Sequence, residues 1–146
     1  MKILIAPLPF KNSLTAFEAA KAIKKGVTLH NPHLNIELSP IEKNQKSIVN
    51  WSEIEEQIKK SDCIITGEGQ IDEVSFEEKA IGEIVNLCKK HNKTIIVIAG
   101  KHNLKLDNPF YQQIAPIYTI TEKASSEEEA FLRAAHYLER IGRRVI

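Results

Sequence analysis

Cysteine is scarce in this chain: Cys63 and Cys88 are the only two, and neither has a CxxC partner. A disulfide framework and a Cys-based zinc site are therefore unsupported, and both thiols, set in apolar patterns, suit reduced core positions. HExxH and GxSxG are absent, which leaves metalloprotease and serine-hydrolase readings without their motifs. The histidines form no cluster: His30 and His33 lie in a polar turn, His91 and His136 in helical patterns, and His102 near the end of an apolar run. Long hydrophobic runs are also lacking. The opening run stops at Pro7, too short for a signal sequence or a membrane span, so cytoplasmic placement without membrane contact is expected. Charge of one sign is not in excess either: 20 basic residues against 19 acidic give +1, which offers nucleic acid no electrostatic footprint. The local basic group Arg140, Arg143 and Arg144 follows acidic Glu127 to Glu129 along one helical pattern, an order that complements the helix dipole.

What is present describes an ordinary globular chain, 42% hydrophobic and 27% charged over 146 residues. One domain of this length buries roughly two-thirds of its unfolded surface. Stretches rich in aliphatic and β-branched residues predict strands at Lys2–Ala6, Asn35–Ser39, Asp62–Thr66 and Thr94–Ala99, with a fifth at Ile117–Ile120. Three of these runs are continuously apolar, the pattern of strands covered on both faces of a parallel sheet. Helical patterns between them open with Thr15/Glu18, Ser52/Glu55, Ser75/Glu78 and Ser126/Glu129, each spaced as a capping box. Phe17, Ala20, Ile23 and Val27 form one apolar stripe, interrupted by a costly Gly26. Ala80, Ile84, Leu87 and Cys88 form another, and Ala130, Phe131, Ala134, Ala135, Leu138 and Ile141 a third. The polar stretch Ile41–Val49 reads as a loop. Without an internal repeat or a dividing linker, the alternation predicts a single α/β domain over residues 1–146: a Rossmann-like, doubly wound, mostly parallel sheet flanked by helices.

In such a sheet ligands bind beyond the carboxyl ends of the strands. The sharpest feature there is Thr66-Gly67-Glu68-Gly69, predicted as a glycine-rich turn at a strand end. With a carboxylate between its glycines, that turn suits a Mg²⁺ ion or a ligand hydroxyl better than a bare phosphate; the alternative is a plain tight turn with an exposed Glu68. Lys11, Lys79 and Lys101 would neutralise phosphate if their loops converge, and otherwise read as solvated lysines. Asp72 suits either a metal or the capping of the next turn.

Several blocks then match one family in order. Met1–Ala16, MKILIAPLPFKNSLTA, resembles the opening MKIVIAPDSFKGSLSA of bacterial glycerate kinases, and Asp62–Asp72 with Lys79 and Ala80 resembles their DLVITGEGRID…GKAP block. Thr94–Gly100 is similar to their PVIAIAG strand, and Ile117–Ile120 with Ser126–Ala130 to their FSI…SLEEA segment. The resemblance implies ATP-dependent phosphorylation of glycerate, with ATP and Mg²⁺ as cofactors if the reaction survives, none otherwise, and no resident metal site. It implies Lys11, Glu68 and Asp72 as catalytic residues, with Thr66, Gly67, Gly69 and Lys79 binding the cofactor. It also implies a longer protein, with a second domain inserted where this chain has the polar loop 41–49, and an ADGGEGT motif that has no counterpart after Pro40.

Other positions depart from the pattern. Leu8 and Pro9 stand for Asp and Ser, Asn12 for Gly, Gln70 for Arg, Val74 for Gln, Glu78 for Gly and Ile81 for Pro. Loss of an Arg and an Asp removes charges on which phosphoryl transfer depends. The expectation is a degenerate family member that keeps the fold and not the full reaction, its partners a small organic acid or a nucleotide. The alternative is a non-catalytic ligand-binding or interaction module, possible as a homo-oligomer joined through an exposed apolar patch at Leu8, Pro9 and Phe10.

Overall fold

A computed structural model of the chain describes residues 1–43, 46–77, 79–114 and 116–146. Five strands, β1 (Lys2–Ile5), β2 (Asn35–Leu38), β3 (Cys63–Ile71), β4 (Thr94–His102) and β5 (Ile117–Thr119), form one sheet in the order β2-β1-β3-β4-β5. Every strand pair is parallel. The helices are α1 (Ala16–His30), α2 (Trp51–Lys59), α3 (Glu73–Glu77), α4 (Ala80–Lys90), α5 (Pro109–Ile114), α6 (Glu127–Leu132) and α7 (Ala134–Gly142). No described helix is long and apolar enough to cross a membrane.

Alternation along the strands divides the core between two faces. Ile3, Ile5, Ile65 and Ile98 pack with Ile23 and Val27 of α1 and Leu138 and Ile141 of α7. Leu4, Ile64 and Val97 pack with Ile54 and Ile58 of α2, Ile84 of α4 and Ile114 of α5. Cys63 and Cys88 are free and buried, and burial raises their thiols to about 11 and about 12 respectively. They are reduced core residues, as their apolar settings predict.

The largest correction concerns Thr66–Gly69, which is not a turn. β3 runs through it to Ile71 and stays in register with β4, pairing Gly67 with Ile98, Glu68 with Ala99 and Gln70 with Lys101. Among the described residues no glycine has positive φ. Their use is close approach: a Cβ on Gly67 would stand 2.0 Å from the Ile98 carbonyl oxygen, and one on Gly100 would stand 2.3 Å from that of Gly69. β4 likewise extends beyond Ala99, to His102.

Helix starts follow the capping signals unevenly. Thr15 and Glu18 make the reciprocal box of α1, with hydrogen bonds of 3.1 and 3.0 Å. Ser126 caps α6 by accepting from the Glu129 amide at 3.1 Å. For α2 the cap is Asn50, two residues ahead of Ser52, because its side chain already accepts from the Glu53 amide. Ser75 sits inside α3 instead of ahead of it, and its partner Glu78 lies outside the described residues.

Two apolar stripes also shift. Phe17 and Phe131 are 50% and 46% exposed and Ala135 is exposed, while Ala19 of α1 and Tyr137 of α7 are buried in their stead. The predicted last helix breaks at Arg133 into α6 and α7. Gly26, costly by propensity, is explained by the crossing of α1 and α7. A Cβ there would lie 2.0 Å from the Glu139 carbonyl oxygen, and one on Gly142 would lie 2.6 Å from that of Ile23. Large side chains do not fit a seam that close. The apolar patch predicted at Leu8, Pro9 and Phe10 is not formed, since Leu8 is 0% and Phe10 3% exposed. The Leu8 amide donates to the Gly67 carbonyl at 2.8 Å, which draws the segment after β1 into the sheet.

Candidate functional site

A cleft of about 490 Å³ opens at the carboxyl ends of β1, β3, β4 and β5. The strand order turns back between β1 and β3, and that reversal leaves a crevice in this class of sheet. It is lined by the Pro9–Ser13 loop, by the end of β3 with Gly100 and Lys101 of β4 as its floor, and by α6.

The loop after β1 is tightly built. Phe10 and Leu14 exchange backbone hydrogen bonds of 2.9 Å, and the Ser13 amide donates to the Phe10 carbonyl at 2.8 Å. Asn12 closes the loop at φ 63°, the left-handed region in which asparagine is among the most tolerant residues with a Cβ. The position where the resembled pattern has glycine thus keeps a residue suited to the same backbone. Buried Phe10 anchors the loop, the Ser13 hydroxyl fastens it to the Phe131 carbonyl at 2.7 Å, and exposed Lys11 lies at its tip.

Helix α1 follows the loop, and its first amides are already occupied. The Glu42 carboxylate accepts from the Ala16 amide at 2.8 Å and from the Phe17 amide at 3.2 Å, while Thr15 accepts from the Glu18 amide. A helix start is a common anion site in α/β sheets, but here the chain's own carboxylate takes it.

Five of the sequence-predicted residues line the cleft: Lys11, Glu68, Gly69, Asp72 and Lys79. Lys101 lines it too, so the three lysines do share one cleft, Lys11 and Lys79 from connections and Lys101 from within β4 and not from a loop after it. Glu68 is only 2% exposed. Asp72 starts α3, its Oδ1 accepting from the Ser75 amide at 3.1 Å and the Ser75 hydroxyl at 3.2 Å, while its own amide donates to Ser75 Oγ at 3.1 Å. Oδ2 takes no part in that cap. Lys79 is half-buried at the residue before α4, and Lys101 Nζ stands 3.4 Å from Glu127 Oε1 of α6.

Thr66 and Gly67 do not line the cleft. The Thr66 hydroxyl is buried and donates to the Ala6 carbonyl at 2.7 Å, tying β3 to the chain leaving β1, and Gly67 faces Ile98 of β4. Both shape the sheet beneath the cleft. Gln70, standing where the resembled pattern has Arg, is exposed within it. Sequence reasoning missed Glu127 and Phe131 as parts of the site, and Glu42 as the carboxylate on the start of α1. Glu127 has a visible signal, an acidic first turn after a strand, but its match to the helix dipole already accounts for that charge.

Among the described residues no group of three or more His, Cys, Asp or Glu is arranged to hold a metal ion. Two carboxylate residues, Glu68 and Asp72, do line the cleft. That donor set suits Mg²⁺ that arrives on phosphate, since this ion keeps waters and takes one or two carboxylates.

The sequence profile of the glycerate kinase family matches residues 41–146. Among curated proteins, the glycerate kinase of Bacillus subtilis (strain 168) is 30% identical over 91 residues, covering 62% of this chain and 24% of that protein. An uncharacterized protein of Synechocystis sp. is 36% identical over 64 residues, covering 44% of this chain and 17% of that protein. The matches thus span about a quarter or less of these relatives' length. Among solved structures, a diflavin flavoprotein A3 from Nostoc sp. aligns over 98% of this chain and 90% of its own, with a TM-score of 0.52 at 12% identity. At that identity the likeness concerns the fold alone.

Proposed function

This chain belongs to the glycerate kinase family, and from that premise we propose that its cleft binds a phosphate-bearing ligand or small organic acid, by family likeness Mg²⁺-ATP and glycerate. The observation that carries the reading is the convergence of Lys11, Lys79 and Lys101 on one cleft that also holds Glu68 and Asp72. Three cations from two connections and a strand match an anion with several oxygens, and two carboxylates match the cation or hydroxyl beside it.

In this reading Lys11 and Lys79 hold phosphate oxygens, while Glu68 and Asp72 face Mg²⁺ or the acid's hydroxyl. Mg²⁺ supplies charge neutralisation when bound. Gly69 lets the lysine loop close on the strand, since a Cβ there would stand 3.3 Å from Phe10 Cα and 3.4 Å from the Lys11 nitrogen. Thr66 and Gly67, placed under the floor, support binding by holding β3 in position.

The proposal includes binding without complete phosphoryl transfer by this chain alone. Leu8 stands where the resembled pattern has Asp, and it is wholly buried, so it offers the ligand neither charge nor a hydrogen bond. Gln70 replaces a guanidinium with a neutral amide inside the cleft. Action in the cytoplasm belongs to the same reading, in keeping with the free thiols of Cys63 and Cys88.

The test follows thermal stability of the purified protein with Mg²⁺-ATP, Mg²⁺-ADP and glycerate, because a ligand of the native state raises its apparent stability. An upward shift lost in Lys79→Ala is expected, together with no phosphoglycerate formed. No shift with any of the three ligands would sink the reading, and phosphoglycerate production would refute its second half.

A further inference from the structure

Lys101 meets a carboxylate across the cleft. Its Nζ lies 3.4 Å from Glu127 Oε1, with the two side chains 49% and 76% exposed. The partners belong to unlike supports. Lys101 is held in β4, in register with Gln70 of β3, whereas Glu127 opens the six-residue helix α6, which ends at the break of Arg133. A pair this exposed adds little to folding. Its position inside the cleft matters more, because any oxyanion that reaches Lys101 must share that ammonium with Glu127 or drive the carboxylate off.

We infer that Glu127 is a specificity-determining residue: a built-in counter-anion on Lys101 that an incoming anionic ligand replaces. The inference rests on the proposed function, since it requires the cleft to take an anion. Release of Glu127 costs little, because in the first turn of α6, beside Glu128 and Glu129, the freed carboxylate still faces the positive end of the helix dipole. The exchange selects on charge. A polyanion gains contacts to the other lysines that offset the lost pair and the repulsion from Glu127, whereas a singly charged acid has fewer oxygens to share among the lysines and gains less from displacing Glu127.

The experiment is calorimetric titration with sodium tripolyphosphate at about 0.15 M salt, where charges farther apart than about 8 Å are largely screened. Glu127→Gln keeps the shape of the side chain and removes its charge, and it is expected to bind about two- to fivefold more tightly than the unaltered protein, the range an exposed pair supports. Glu128→Gln makes the same change in net charge outside the cleft lining and should bind as the unaltered protein does. In Lys101→Ala the gain from Glu127→Gln should shrink to what repulsion alone contributes. Equal or weaker binding by Glu127→Gln, or an equal gain in Glu128→Gln, overturns this inference and leaves the proposed function standing. No binding by any of these proteins overturns both.

Discussion

Replacing Gly67 and Gly69 one at a time by alanine separates the extended reading of the Thr66–Gly69 segment from the turn reading. At Gly67 the added methyl would stand 2.0 Å from the Ile98 carbonyl oxygen, a separation that must open to at least 3.0 Å. Both residues lie in paired strands, so the strain falls on the backbone of β3 and β4, where no side chain can swing aside. Overpacking of this kind costs about 3 kcal/mol, the upper end of its usual range. Urea unfolding followed by far-ultraviolet circular dichroism reads the loss directly. With a slope of about 2 kcal/mol/M, the midpoint should fall by ~1.5 M at unchanged slope. At Gly69 the nearest atoms are Phe10 Cα at 3.3 Å and the Lys11 nitrogen at 3.4 Å, so the loop after β1 need yield only a few tenths of an ångström. Alanine there also restricts the unfolded chain, worth about 0.4–1 kcal/mol, and the two effects nearly cancel. Gly69→Ala should therefore unfold close to the unaltered protein while weakening ligand binding by moving Lys11. Equal losses of stability at the two positions would refute the argument, because a turn that depends on both glycines for its conformation predicts just that.

Three further outcomes follow from buried or paired polar groups. Thr119 Oγ1 is buried without a hydrogen-bond partner among the described residues, so Thr119→Val should stabilise the protein by about 1 kcal/mol in the same urea assay. The hydrogen bonds from Lys90, first, and His91 hold the Glu55 carboxyl at about 2, well below its ordinary 4.5. A depressed carboxyl contributes stability that is complete above about 4.5 and is lost as the pH falls toward about 2, so thermal melts of Glu55→Gln should lie below those of the unaltered protein at neutral pH and converge with them through that window. Glu42→Ala removes the carboxylate from the start of α1 and should cost about 1 kcal/mol in chemical unfolding, with hydrogen exchange quickening at the amides of Ala16 and Phe17.

Much of the architecture is legible in the sequence because burial on both faces leaves a plain mark. Ile3-Leu4-Ile5, Cys63-Ile64-Ile65 and Ile95-Ile96-Val97-Ile98 are core strands as their apolar runs predict. Where the rule fails, a neighbouring backbone is the cause. Glycine is the usual mark of a strand's end, but Gly67 and Gly100 are there so that β3 and β4 can lie close, Gly69 so that the loop after β1 can approach β3, and nothing local distinguishes these uses. Gly26 is hidden in the same way by the helix that crosses it. Most members of the candidate site are legible from their places at strand ends, with their roles taken from family likeness, but the placement of Lys11, Lys79 and Lys101 on one cleft depends on segments far apart in the chain that only the sheet order brings together. Glu42 was beyond reach because its role lies in amides across the loop and has no sequence period.

The seam between α1 and α7 bears on the order in which the molecule assembles. Gly26 meets Glu139, and Gly142 meets Ile23, so the closest helix crossing joins segments more than a hundred residues apart. Contacts of such separation close late in folding, after the entropy of the intervening loop has been lost. On the ribosome, the face of α1 formed by Ala19, Ala20, Ile23 and Val27 can settle on Ile3, Ile5 and Ile65 of the sheet first, but its cover stays incomplete until Leu138 and Ile141 of α7 have emerged.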